Sequence, residues 1–87
     1  MSLRKVLIVS EDPLLQGKIA DILRDEGYYV VVVRDRNLAL NCLEQEEINI
    51  ILAEEEILAK EGFQFLRSVR GRFSEVVVLA VGSSDNP

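Results

Sequence analysis

Four short, continuous apolar runs, at residues 6–9, 28–33, 50–53 and 76–81, alternate with stretches in which apolar residues recur at helical spacing. A run that is apolar at every position, rather than at every second one, predicts a strand buried on both faces, as in a parallel sheet. The first run, opened by Lys5, is Val6-Leu7-Ile8-Val9, and it is followed by Ser10-Glu11-Asp12-Pro13. Asp12 suits an N-cap and Pro13 the first helical position, where a missing N–H costs nothing. The helix so opened should run to about Glu26, with Leu15, Ile19, Ile22 and Leu23 as its buried stripe and Gly27 as the residue that stops it.

The second run is rich in aromatic and β-branched residues, as strands are. A second helix is predicted over 37–45, with Ala39, Leu40 and Leu43 inward and Glu46 and Glu47 closing it. After the third run, a loop over 55–61 leads through Gly62 into a third helix. Phe63, Leu66, Val69 and Arg70 share one face of that helix, with Phe65 beside them. Gly71-Arg72-Phe73-Ser74 reads as a turn, 76–81 as a fourth strand and 82–87 as a flexible polar end. The order β-α-β-α-β-α-β implies a single α/β domain with a parallel sheet and right-handed crossovers.

The third run breaks abruptly into Glu54-Glu55-Glu56. Ionised carboxylates are almost never buried unpaired, so the strand must end here with its carboxyl end facing water. In open α/β sheets that edge is where ligands bind.

Composition narrows the chemistry. The chain has 87 residues, 48% of them hydrophobic and 29% charged, which fits one folded domain. A net charge of −5 argues against direct nucleic-acid binding. The ten Lys and Arg are scattered, so no polybasic membrane patch exists. No apolar run approaches the ~20 residues of a membrane span, and no signal peptide is visible, so a cytoplasmic protein is expected. With no histidine and one cysteine, internal disulfides, Cys/His zinc sites and Ser-His-Asp catalysis are excluded. Cys42, in an apolar helical setting, is expected to be a buried, inert thiol.

The pattern resembles the bacterial response-regulator receiver domain, a flavodoxin-like three-layer fold. The resemblance rests on Val6-Leu7-Ile8-Val9 followed by an acidic step and Pro13, on Ala39-Leu40 with Leu43, on Ile50-Ile51-Leu52 ending in an acid, on Gly62 eight residues after Glu54, and on the run from Val76 to Ala80. It covers about residues 5–82 and implies strand order 2-1-3-4. The family's fifth strand and last two helices have no counterpart in these 87 residues. Receivers accept a phosphoryl group on an Asp at the tip of the third strand. An acidic pair ending the first strand helps hold Mg²⁺, and a Thr or Ser ending the fourth strand and a Lys ending the fifth contact the phosphoryl group.

Position by position, this chain departs from that set. Glu54 stands at the phosphoacceptor position, Ser10 and Glu11 at the acidic pair, Ala80 at the switch position, and Leu58 where the family usually has Pro. Glu54 is one methylene longer than Asp, and a displacement of about 1 Å can cost about 10²-fold in rate. Ala80 has no hydroxyl to offer a phosphoryl oxygen. The resemblance therefore implies a degenerate receiver, without enzymatic activity, that works through protein–protein contacts. An output domain in a longer parent chain is its natural partner.

Two alternatives stay open. One is an atypical receiver that accepts phosphate at Glu54 or binds Mg²⁺ weakly through Glu11 and Glu54, against the plainer reading of a solvated acidic edge. The other is a small flavodoxin-like module for a nucleotide or flavin, although no Gly-rich phosphate loop follows the first strand. Without a fifth strand, Val76, Val77, Val78, Leu79 and Val81 form a free apolar edge. It belongs either to a fragment of a longer protein or to a homodimer that supplies the missing pairing in trans.

Overall fold

The computed structural model describes residues 4–82, with the backbone alone at 61 and 62. Seven elements follow in order: β1 (Lys5–Val9), α1 (Pro13–Asp25), β2 (Tyr29–Val33), α2 (Arg36–Gln45), β3 (Ile50–Glu54), α3 (Glu55–Arg72) and β4 (Val77–Val81). All pairings are parallel and the strand order is β2-β1-β3-β4, as expected from the alternation. The polar end expected over 82–87 lies, apart from Gly82, outside the described residues.

The local signals act as their chemistry predicts. Asp12 caps α1, its Oδ1 accepting from the amides of Leu14 (3.0 Å) and Leu15 (3.4 Å), with Pro13 in the first turn. Gly27 takes a left-handed φ of 95° just beyond the C-cap, a conformation that glycine adopts without strain. Asp35 caps α2 through the Leu38 amide at 2.8 Å.

The sheet divides the core in two. Toward α2 and α3 lie Leu7, Val9, Ile51 and Ala53, packed with Ala39, Leu43, Ile57, Leu58, Phe65 and Val69. Toward α1 lie Val6, Ile8 and Val30, packed with Ala20 and flanked by half-buried Ile19, Leu23, Ile50 and Leu52. Leu15, Ile19 and Leu23 are half-buried, but Ile22 is 63% exposed, so the inner stripe of α1 is centred on Ala20 instead. With a single helix on this face among the described residues, the best-covered positions are those directly above β1 and β2.

The third connection differs most from expectation. Residues 55–61, expected as a loop, are helical, and α3 starts directly after Glu54 and continues through Arg72, where a turn was expected. The reason is Ile57 and Leu58, which are buried in the larger core and line up with Phe65 and Val69 on one side of the helix. Leu58, at the family's usual Pro position, is thus a core residue, and unlike Pro it can stay within a helix. Phe63, expected inside, is half exposed, and its backbone is left-handed (φ 63°) within the helix span. Arg70 is exposed as well.

Candidate functional site

The carboxyl ends of β1 and β3 meet at one point. The strands run side by side from Val6↔Ile50 to Val9↔Ala53, so Ser10, just past β1, and Glu54, the last residue of β3, stand side by side at the strand tips. Ser10 is 1% exposed, the one buried polar residue among the described residues. Its hydroxyl donates to Glu54 Oε1 at 2.8 Å and accepts from the Asp12 amide at 3.0 Å. The Glu11 amide donates to the same Glu54 oxygen at 2.9 Å. The Ser10 backbone is held too, its N–H donating to Val33 O and its carbonyl accepting from the Gln16 side chain. Glu54 is formally the N-cap of α3 but makes no side-chain cap bond, because its carboxylate is turned toward β1.

Glu11 and Glu54 do meet, but through the Glu11 amide. The exposed Glu11 carboxylate faces Lys60 Nζ on α3 at 3.6 Å. Mg²⁺ takes oxygen ligands in near-octahedral geometry, usually one or two carboxylates with waters. Here one Glu54 oxygen already accepts two hydrogen bonds and the Glu11 carboxylate faces a cation. Among the described residues no group of three acidic, His or Cys side chains is placed to hold a metal ion. The donor set in this arrangement does not fit the ion.

Beside this point opens a cleft of about 290 Å³, walled by Asp12, Leu15, Glu54, Glu55, Glu56, Val81 and Gly82. Glu55 and Glu56 are exposed in the first turn of α3, where the helix dipole favours negative charge. The Glu55 carboxylate lies across Gly82, so close that a Cβ there would come within 3.3 Å of its oxygen. A wall of carboxylates repels a phosphate. Lys60 lies in the adjoining cleft, where it faces Glu11.

Ala80 pairs in register with Ala53, one step short of the Glu54↔Val81 pair, and points to the α2/α3 side of the sheet. Val77 and Leu79 are about half exposed (53% and 49%), whereas Val76, Val78 and Val81 are partly covered. Among the described residues β4 is the last strand of the sheet, paired on one side with β3. Cys42 is half-buried rather than buried. Burial raises its thiol pKa, the nearby Glu46 carboxylate adds to this, and Lys5 opposes it.

The Ser10–Glu54 hydrogen bond was not foreseen from the sequence, although both residues had been singled out. Its only signal was a hydroxyl residue at the tip of one strand and a long carboxylate at the tip of its neighbour.

A parallel 2-1-3-4 sheet with helices on both faces and an acid at the tip of the third strand defines the flavodoxin-like receiver architecture. The comparisons with known proteins agree. Residues 6–87 match the response regulator receiver domain, and the chain belongs to that family. It is 26% identical over 86 residues to the transcriptional regulatory protein AruR of Pseudomonas aeruginosa, and 24% identical over 80 residues to the TorCAD operon transcriptional regulatory protein TorR of Escherichia coli K12. These alignments take in 93% and 92% of this chain but 35% of each relative, so the chain spans about a third of their length. Among solved structures, the chemotaxis response regulator CheY4 of Vibrio cholerae superposes with a TM-score of 0.85 at 23% identity, over 99% of this chain and 73% of that one. A response regulator from Thermotoga maritima gives 0.86 at 18% identity, over 98% and 71%. The chain is therefore a receiver domain of response-regulator signal transduction, and no helix among the described residues is long and apolar enough to cross a membrane.

Proposed function

We propose that this receiver domain has given up phosphoryl transfer and signals through protein–protein contacts, with an output domain of a longer parent chain as its natural partner. The observation that carries this reading is the Ser10 hydroxyl bound to Glu54 Oε1 at 2.8 Å, reinforced by the Glu11 amide at 2.9 Å.

The physical argument concerns charge. A second acid at position 10 would face Glu54 across a short gap, and such a pair needs a cation or a shared proton between its members. Serine supplies a neutral donor instead, so the strand tips are joined by hydrogen bonds and need no metal. The extra methylene of Glu54 lets its carboxylate fold back onto β1, and the oxygen so held is not presented for in-line attack on a phosphodonor. Ala80 offers no hydroxyl to a bound phosphoryl group, and the acidic cleft offers no cradle to a nucleotide or flavin phosphate.

The test is incubation with acetyl phosphate and Mg²⁺, followed by intact-protein mass spectrometry. The expected spectrum is unchanged. A mass gain of one phosphoryl group, lost in Glu54→Gln, would establish the atypical receiver instead.

A further inference from the structure

A groove of about 470 Å³ opens at the carboxyl end of β2, between the first turns of α1 and α2. Pro13, Val32, Val33 and Leu38 form its apolar wall, with Gln16 and Arg34 beside them. β2 is the edge of the sheet opposite β4, so a strand that joins beyond β4 lies away from this groove.

The wall is built in advance. Asp35 Oδ1 accepts from the Leu38 amide at 2.8 Å, and the Val33 carbonyl accepts from the Ser10 N–H at 3.1 Å. The Gln16 side chain donates to the Ser10 carbonyl. The groove is therefore continuous with the strand tips, and a partner seated in it orders little. Leu38 is fixed by its cap, yet 44% of its surface is open to water.

Charge selects the occupant. Glu11 at the rim faces Lys60 at 3.6 Å, and Asp12 and Asp35 are turned to amides of the helices they cap. Arg34 is exposed and has no ion-pair partner among the described residues. The groove thus carries an unbalanced positive charge on a chain of net −5. That net charge opposes an anionic membrane surface, whereas one carboxylate beside Arg34 pairs locally. We propose that the groove docks an acidic amphipathic segment of a partner protein, with an aliphatic side chain seated against Val33 and Leu38 and a carboxylate set against Arg34. So small a contact is weak and transient.

This inference rests on the reading above only in taking protein contact as the output. Phosphoryl uptake tests that reading, and peptide binding tests this one. The experiment titrates the ¹⁵N-labelled chain with a capped helical peptide of about twelve residues, its leucines at helical spacing and glutamates between them. A copy with lysine in place of each glutamate is the control. The glutamate peptide should give saturable amide shifts centred on Val33, Arg34 and Leu38, and the lysine copy should bind about ten-fold more weakly. Arg34→Glu should reverse that preference. Leu38→Ser should weaken both peptides while leaving the shifts of α3 and β3 unchanged. Absence of saturable shifts at these amides would overturn the proposal, as would equal binding of the two peptides or a preference that survives Arg34→Glu. The same shifts on concentrating the chain alone would assign the groove to a second copy. Shifts with phosphatidylglycerol vesicles but not with peptide would assign it to a lipid surface. Either result would overturn the docking of a partner segment.

Discussion

The two faces of the sheet are built from the same strands, yet they are not equally covered. Toward α2 and α3, side chains from β1, β3 and two helices close over one another, and Leu7, Val9, Ile51, Ala53 and Val69 are essentially inaccessible. Toward α1, Val6 and Ile8 on the central strand are equally buried, but Ile50 and Leu52 are only half covered, and Val77 and Leu79 lie open. The difference is geometric. A helix with its side chains is about 10 Å across and strands lie about 4.8 Å apart, so one helix roofs about two strands. Two helices roof four strands, and α1 alone roofs β1 and β2. The strands cannot respond to this asymmetry locally, because a continuous apolar run supplies both faces alike. What the run does not find above it, it leaves exposed.

The sharpest way to break the comparison is to truncate two adjacent residues of one strand. Ile51 is fully buried on the covered face, and Leu52 is half-buried on the other. Ile51→Ala is expected to cost about 2–5 kcal/mol, the range for deleting a packed aliphatic side chain. Leu52→Ala is expected to cost about 1 kcal/mol, because its side chain keeps part of its contact with water in the native state. Urea denaturation followed by circular dichroism reads both from the midpoint. Equal losses would mean that the α1 face is covered in solution.

Ser10→Ala comes next. It removes the buried hydroxyl that donates to Glu54 and accepts from the Asp12 amide, both in part-buried hydrogen bonds. Leaving such partners unsatisfied costs about 1–3 kcal/mol. The urea midpoint should fall accordingly, and Mg²⁺ should not restore it. Recovery of stability with Mg²⁺ would show that the carboxylates can gather a cation once the hydroxyl is gone, and would weaken the metal-free reading of the strand tips.

How far the sequence announced all this depends on whether one signal or two spoke at a position. The strands, α1 and α2 were legible because an apolar pattern coincided with a cap or stop: Asp12 with Pro13, Gly27, and Glu46 with Glu47 after the second helix; the Asp35 cap itself was not read from the sequence. The start of α3 was not, because Glu55, Glu56 and Gly62 read as loop chemistry, while the apolar pair at 57 and 58 is too short to establish a period alone. Extended by Phe65 and Val69, at four-residue multiples from Ile57, that pair would have given the helix. The exposure of Ile22 was hidden for another reason: helical spacing names a stripe, but how wide a stripe is covered depends on how many helices share the face. At the strand tips, residue types located the site correctly, whereas the bond between Ser10 and Glu54 depends on side-chain direction, which no spacing encodes.

The smallest expected effect probes the margin of the covered face. Cys42 lies on α2, half-buried against the larger core, and its thiol pKa is raised above the ordinary 9.0 by burial and then by Glu46, with Lys5 opposing. A raised pKa means that the folded chain holds the thiol proton more tightly than the unfolded chain. The contribution of the neutral thiol to stability is therefore fully present below the ordinary value and is lost as pH rises through the folded one. Stability should be insensitive to this group at neutral pH and decline slightly above pH 9.0. Because the thiolate is the reactive form, alkylation by iodoacetamide at about pH 8 should be several-fold slower in the native protein than in urea. Equal rates would mean that α2 does not hold Cys42 against the core, and that the better-covered face is looser at its edge than its centre implies.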